Sequence, residues 1–230
     1  SNQVTSTAEN GAAVKVADIA VTDDAVGSNV LSLSGADAAS FSIVDGVGGK
    51  ELWFNGGANF ETKNAYDVTV EVDDAAVGGA PDASQSFHLD ITDVNEAPNA
   101  GTDFAVGAAE NVGDAVVLAT VTASDPDLGG GNDGGNDFEN LGYAIISDPS
   151  GKFEINGNGE ISLIAGQSLA GEAGQSHVLT VRVSDGGLPS LFDDVQITIN
   201  VTDVNDAPKA VLVSNRVTSA AESGGAVRLA

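Results

Sequence analysis

An acidic segment, Ile91-Thr92-Asp93-Val94-Asn95-Glu96-Ala97-Pro98, recurs 110 residues later as Val201-Thr202-Asp203-Val204-Asn205-Asp206-Ala207-Pro208. Each copy places two carboxylates around an asparagine amide, a dense set of hard oxygen donors. Such donors suit divalent cations, and Ca²⁺ above all, which takes six to eight carboxylate and carbonyl oxygens. The rest of the chain leans the same way. Its 230 residues carry 34 acidic and 8 basic side chains, a formal charge of −26. Carboxylates at this density repel one another unless counter-ions screen them. A nucleic-acid partner is excluded, because binding phosphates needs clustered Lys and Arg. Cysteine is absent, which removes disulfides, thiolate metal sites and cysteine catalysis. A secreted domain without disulfides needs another staple, and a metal ion can be one.

The elements that hold these donors read as strands throughout. Tyr66, Val68, Val70 and Val72 alternate with polar residues, as do His177, Leu179, Val181 and Val183. That period of two marks half-buried strands. Phe87, Leu89 and Ile91 face one way and His88 and Asp90 the other; Val195, Ile197, Ile199 and Val201 repeat the pattern. Asn156-Gly157-Asn158-Gly159, set between Ile155 and Ile161, is a hairpin turn signal. No window offers an amphipathic helix. Each acidic segment closes an alternating strand and ends in Pro, which stops a strand. The 110-residue offset is the size of one β-sandwich domain. The expected fold is all-β, two tandem Greek-key, immunoglobulin-like β-sandwiches, over residues 1–98 and 99–208. Residues 214–230 (SNRVTSAAESGGAVRLA) echo residues 1–17 (SNQVTSTAENGAAVKVA), so 209–230 read as a partial third repeat or a C-terminal strand.

The Asp-x-Asn-[Asp/Glu]-Ala-Pro segments resemble the interdomain linker of cadherins, and the resemblance extends over nearly the whole chain. Ala-Glu-x opens each unit at Glu9, Glu110 and Glu222, and Asp125-Pro126-Asp127 resembles the family's Asp-x-Asp. Glu61 and Glu172, five residues before Tyr66 and His177, match the Glu of its Asp-Arg-Glu motif. Asn59 and Ala170 stand where that motif has its first Asp. Asp74 and Asp185 match its last ligand. The likeness is nearest to the cadherin-like repeats of large secreted bacterial adhesins, such as rhizobial adhering proteins. Leu31-Ser32-Leu33-Ser34-Gly35-Ala36-Asp37-Ala38, with Phe41 and Ile43 and then Phe60-Glu61-Thr62, is typical of those repeats.

The resemblance implies a calcium cluster that locks one domain to the next. At the central joint it would use Glu9, Glu61, Asp93, Asn95, Glu96, Asp125, Asp127 and Asp185, with Asn59 assisting. A second, incomplete site would hold Glu110, Glu172, Asp203, Asn205 and Asp206. Asp23, Asp24 and Asp74 would serve a preceding domain, with Ala25 replacing the second Asp of the usual Asp-x-Asp.

The implied function is a calcium-dependent extracellular adhesion module, secreted or at a bacterial cell surface. Its expected partner is a bacterial cell-surface or secreted polysaccharide, with calcium as a bridge. The alternatives are a passive calcium-stiffened spacer and homophilic adhesion through weak self-association; no Trp lies near Ser1 to anchor a strand exchange. No apolar run approaches the ~18 residues of a membrane span. No signal peptide opens the chain, which reads as a mature fragment or as exported without an N-terminal mark. An enzyme is not expected: no nucleophile elbow is present, and among so many acids a carboxylate pair arises by chance. Leu128 to Asp137 lacks the nine-residue period of a calcium roll and reads as a long loop whose Asp137 could add a ligand. His177 is expected in the core and His88 in solvent. One of Trp53 and Phe54 should fill the core while the other covers an edge or stacks on a sugar.

Overall fold

The computed structural model describes residues 3–24, 26–128, 140–205 and 207. Ala25, residues 129–139 with most of the expected long loop and Asp137, Asp206, and 208–230 with the expected third repeat or C-terminal strand lie outside the described residues.

Among the described residues, fourteen strands make two β-sandwiches of seven strands each. The first comprises β1 (Ser6–Ala8), β2 (Val14–Ile19), β3 (Asn29–Ser34), β4 (Phe41–Gly46), β5 (Gly49–Phe54), β6 (Ala65–Asp74) and β7 (Ala83–Thr92). The second comprises β8 (Phe104–Ala109), β9 (Ala119–Thr120), β10 (Gly142–Ser147), β11 (Phe153–Ile155), β12 (Glu160–Leu163), β13 (Ser176–Ser184) and β14 (Phe192–Thr202). One sheet of the first runs β1-β7-β6-β3 and faces β2-β5-β4. The second sandwich repeats this order strand for strand, as β8-β14-β13-β10 and β9-β12-β11. A 3₁₀ turn at Ala38–Ser40 is the one helical element among the described residues.

The alternating runs become the central strands. Val68, Phe87, Leu89 and Ile91 are buried in the first core, while His88 is exposed between Asp67 (2.7 Å) and Asp90 (3.1 Å). Leu179, Val181, Val183, Val195, Ile197 and Ile199 form the second core at 0–1% exposure. Burying a Leu or Ile side chain this fully contributes roughly 1.5–3 kcal/mol, so each sandwich has an apolar core of its own. Phe54 is buried, packed edge-on to Phe41 at 5.5 Å. Trp53 lies half-buried on the middle strand of its three-stranded sheet rather than on an edge, its Nε1 donating to Glu51. The Asn-Gly-Asn-Gly turn closes the β11–β12 hairpin. Its Gly159 has φ +75°, and a Cβ there would lie 2.4 Å from the Val121 carbonyl, so the turn admits only glycine.

The first strand of each sandwich pairs in parallel with the last. Ala8 lies opposite Thr92, and Ala109 opposite Thr202. That register sets Glu9 beside Asp93 and Glu110 beside Asp203.

Candidate metal centre

Three stretches of chain meet where the sandwiches join. Glu9 leaves β1 with its N–H bonded to the Thr92 carbonyl (3.1 Å). It is 3% exposed, and its two oxygens accept the Phe60 (2.7 Å) and Val94 (3.0 Å) N–H groups. Glu61 sits in the turn before β6, closed by the Lys63 N–H on the Asn59 carbonyl. Glu9, Glu61 and Asp93 each bring one oxygen to within 4.8 Å of the others. Glu61, Glu96 and Asp127 form a second such group. Glu61 belongs to both, so the first sandwich, the linker and the second sandwich share one donor cluster.

The linker is tied to the second sandwich around this cluster. Asp127 accepts the Glu96 N–H (2.7 Å), and its own N–H donates to Asp125 (3.0 Å). Asn95 donates to Asp185 (2.9 Å) and to the Pro189 carbonyl (3.2 Å). The other Asp185 oxygen is held by the Gly187 and Leu191 N–H groups. A Cβ on Gly187 would lie 2.1 Å from the Asn95 carbonyl oxygen, so glycine lets the amide lie flat there.

The donor set fits a cation. Glu61 Oε2, Asn95 Oδ1, Glu96 Oε2, Asp125 Oδ2 and Asp127 Oδ1 are buried without a hydrogen-bond partner. Buried acceptors left so are costly, and most proteins avoid them. Here they are all hard oxygens in one place. Burial pushes the Glu61, Glu96 and Asp125 carboxyls up, with repulsion from neighbouring acids adding to it. For Asp185 burial also pushes up, but the Asn95 amide and the Leu191 and Gly187 N–H groups outweigh it and hold the group low. Like charges at about 4.8 Å repel by roughly 1 kcal/mol in water and roughly 3 kcal/mol at an effective dielectric of 20. A divalent ion would convert that repulsion into attraction.

Of the eight residues expected at the central joint, Glu9, Glu61, Asp93, Glu96 and Asp127 make up the two groups, Asp125 is bonded to Asp127, and Asn95 and Asp185 are bonded to each other. The side-chain oxygen of Asn59 accepts the Thr62 N–H (2.8 Å) and closes the turn that carries Glu61. At the far end of the second sandwich Glu110 copies Glu9, accepting the Gly171 (2.9 Å) and Val204 (3.2 Å) N–H groups. Asp203 and Asn205 lie exposed nearby in the chain. Glu172 instead pairs with Lys152 (2.5 Å) and His177 (2.9 Å), and the lysine contact, first among its influences, holds it below the ordinary value. His177 thus sits at the rim of the core, edge-on to Phe153. At the opposite pole Asp74 is buried against Gly27, while Asp23 and Asp24 are exposed and bonded into their own loop.

Sequence reasoning missed Asn10, which donates to Glu96 (2.7 Å), and the 187–191 loop that cradles Asp185. The partners of Asn10 and Asn95 lie 86 to 94 positions away, beyond any spacing rule.

Residues 104–202 match the cadherin domain family. The chain is similar to Protocadherin Fat 2 of Rattus norvegicus, 31% identical over 186 residues that cover 75% of this chain and 4% of that protein. It is similar to the solved extracellular domain of protocadherin gammaB4, 29% identical with a TM-score of 0.58, covering 83% of this chain and 30% of that one. It shares the fold of human protocadherin-24 EC1-2, with a TM-score of 0.65 at 18% identity, over 88% and 96% of the two chains. These relatives are animal protocadherins rather than bacterial adhesins. Cadherin domains are non-enzymatic adhesion modules that bind Ca²⁺ at the linkers between them. Among the described residues no helix is long and apolar enough to cross a membrane.

Proposed function

We propose, for a chain that carries cadherin-like repeats, that it is a calcium-stiffened segment of an extracellular adhesion protein. Its modules are residues 1–98 and 99–208, followed by a partial repeat over 209–230. The observation that carries this reading is the shared carboxylate. Glu61 of the first sandwich lies within 4.8 Å of donors from the linker and from Asp127 of the second. An ion bound there has ligands on both sides of the joint, so its binding energy resists bending. The ligands are Glu9, Glu61, Asp93, Asn95, Glu96, Asp125, Asp127 and Asp185.

The likeness to protocadherins favours a spacer segment or pairing between like chains over capture of a bacterial cell-surface or secreted polysaccharide. Beads coated with the protein test the choice. Clumping of coated beads in calcium, reversed by chelator, supports pairing between like chains. Dispersed beads on a chain that still stiffens in calcium support the spacer. Saturable binding of an exopolysaccharide to dispersed beads would restore the glycan reading.

A further inference from the structure

The two sandwiches repeat one another closely enough that their differences can be read position by position. Glu9 and Glu110 accept N–H bonds from equivalent backbone positions. Glu61 and Glu172 then occupy equivalent turns, each one residue after the N–H that bonds that glutamate. Their surroundings differ. Phe41 and Phe153 each open the inner hairpin, opposite Phe54 and Leu163. The residue before them is Ser40 in the first sandwich and Lys152 in the second. Five residues beyond the glutamate stands Tyr66 in the first and His177 in the second.

Both exchanges bring a nitrogen donor to Glu172. Lys152 Nζ lies 2.5 Å from one oxygen and 2.7 Å from the Ser168 carbonyl, and His177 Nε2 lies 2.9 Å from the other oxygen. All three side chains are largely shielded, at 21%, 20% and 11% exposure for Lys152, Glu172 and His177. The first sandwich keeps its nearby lysine away: Lys63 pairs with Asp37 and lies over the Tyr66 ring. Glu9, Glu61 and Asp93 converge, whereas among the described residues Glu110, Glu172 and Asp203 form no such group.

We propose that Lys152 is a tethered cation that takes the place of calcium at Glu172, so that this end of the second sandwich is set by an internal ion pair. The proposal rests on reading the central joint as a calcium site. An ammonium covalently attached to the fold is present at all calcium concentrations, so this end keeps its shape when calcium is withdrawn and the central joint does not. The chain would then have one responsive joint and one constitutive end.

Calcium bound per chain, measured by equilibrium dialysis against calcium chloride with elemental analysis, tests this. Glu172→Gln should bind as much calcium as the unaltered chain. The double variant Lys152→Ser/His177→Tyr, which installs the residue types of the first sandwich, should bind more and should melt lower than the unaltered chain in chelator. Loss of calcium in Glu172→Gln would overturn the proposal. So would a double variant that keeps its β-sheet circular dichroism and binds no additional calcium. Glu61→Gln, run alongside, separates the two readings: unchanged calcium in that variant sinks the central joint, while the other two variants still judge Lys152.

Discussion

Replacing Glu61 by Gln should move stability in opposite directions with and without calcium. Glu61 supplies an oxygen to both donor groups at the joint, so its loss weakens both ion positions. Extracellular calcium modules bind with dissociation constants of about 10⁻⁴–10⁻³ M. At about tenfold excess over that constant, each ion stabilises the folded chain by roughly 1.4 kcal/mol. Two positions then give roughly 3 kcal/mol, and the variant should keep less than half of it. In chelator the balance reverses. The Glu61 carboxylate is repelled by Glu9, Glu96 and Asp127, each contact costing roughly 1 kcal/mol or more when the group is charged. A neutral amide removes that repulsion, so the variant should melt at or above the unaltered chain. With roughly 4–8 °C per kcal/mol for a domain of this size, thermal unfolding followed by circular dichroism resolves both arms. A variant that melts lower by the same amount in both conditions would show Glu61 to be a packing residue and refute the ion argument.

Gly187→Ala should weaken calcium binding without unfolding the second sandwich, because the new Cβ displaces the Asn95 amide and not the core; calorimetric titration with calcium checks it, alongside an unchanged β-sheet spectrum. The pH dependence of the metal-free chain should be inverted over part of its range. Glu61, Glu96 and Asp125 have folded values raised above the ordinary 4.5 and 3.8. They bind protons more tightly folded than unfolded, so stability rises as pH falls through their raised values. Asp37 and Glu172, held low first by their lysine partners, act oppositely: their contribution is present above the ordinary values and lost as pH falls through the depressed ones. In chelator the melting temperature should therefore climb as pH falls through the raised values, above the ordinary 4.5 and 3.8, and drop again as pH falls below those ordinary values. In calcium the climb should vanish, because protons compete with the ion; melting curves across pH in both buffers decide it.

Much of this architecture was legible because its signals are local or repeated. Alternation in residues 66–72 and 177–183 needs only neighbouring residues to be read, and β6 and β13 lie there. The linker acids were legible because the same segment occurs twice, which separates them from the other carboxylates of an acidic chain. The resemblance to bacterial adhesins was too narrow, since the relatives found are animal protocadherins. For Glu172 the resemblance supplies the position but not the neighbours. It holds the right position in its repeat, yet what it touches is decided by Lys152, which lies 20 residues away and outside any motif.

Small-angle scattering in about 2 mM calcium and in excess chelator, at millimolar levels where such modules fill, tests the central claim most directly. With calcium the distance distribution should show two modules at one defined separation; in chelator the repelling carboxylates at the joint should broaden that separation while both sandwiches stay folded. Identical distributions in the two buffers would contradict the account and leave the acids at 93–96 and 125–127 without a role in stiffening the joint.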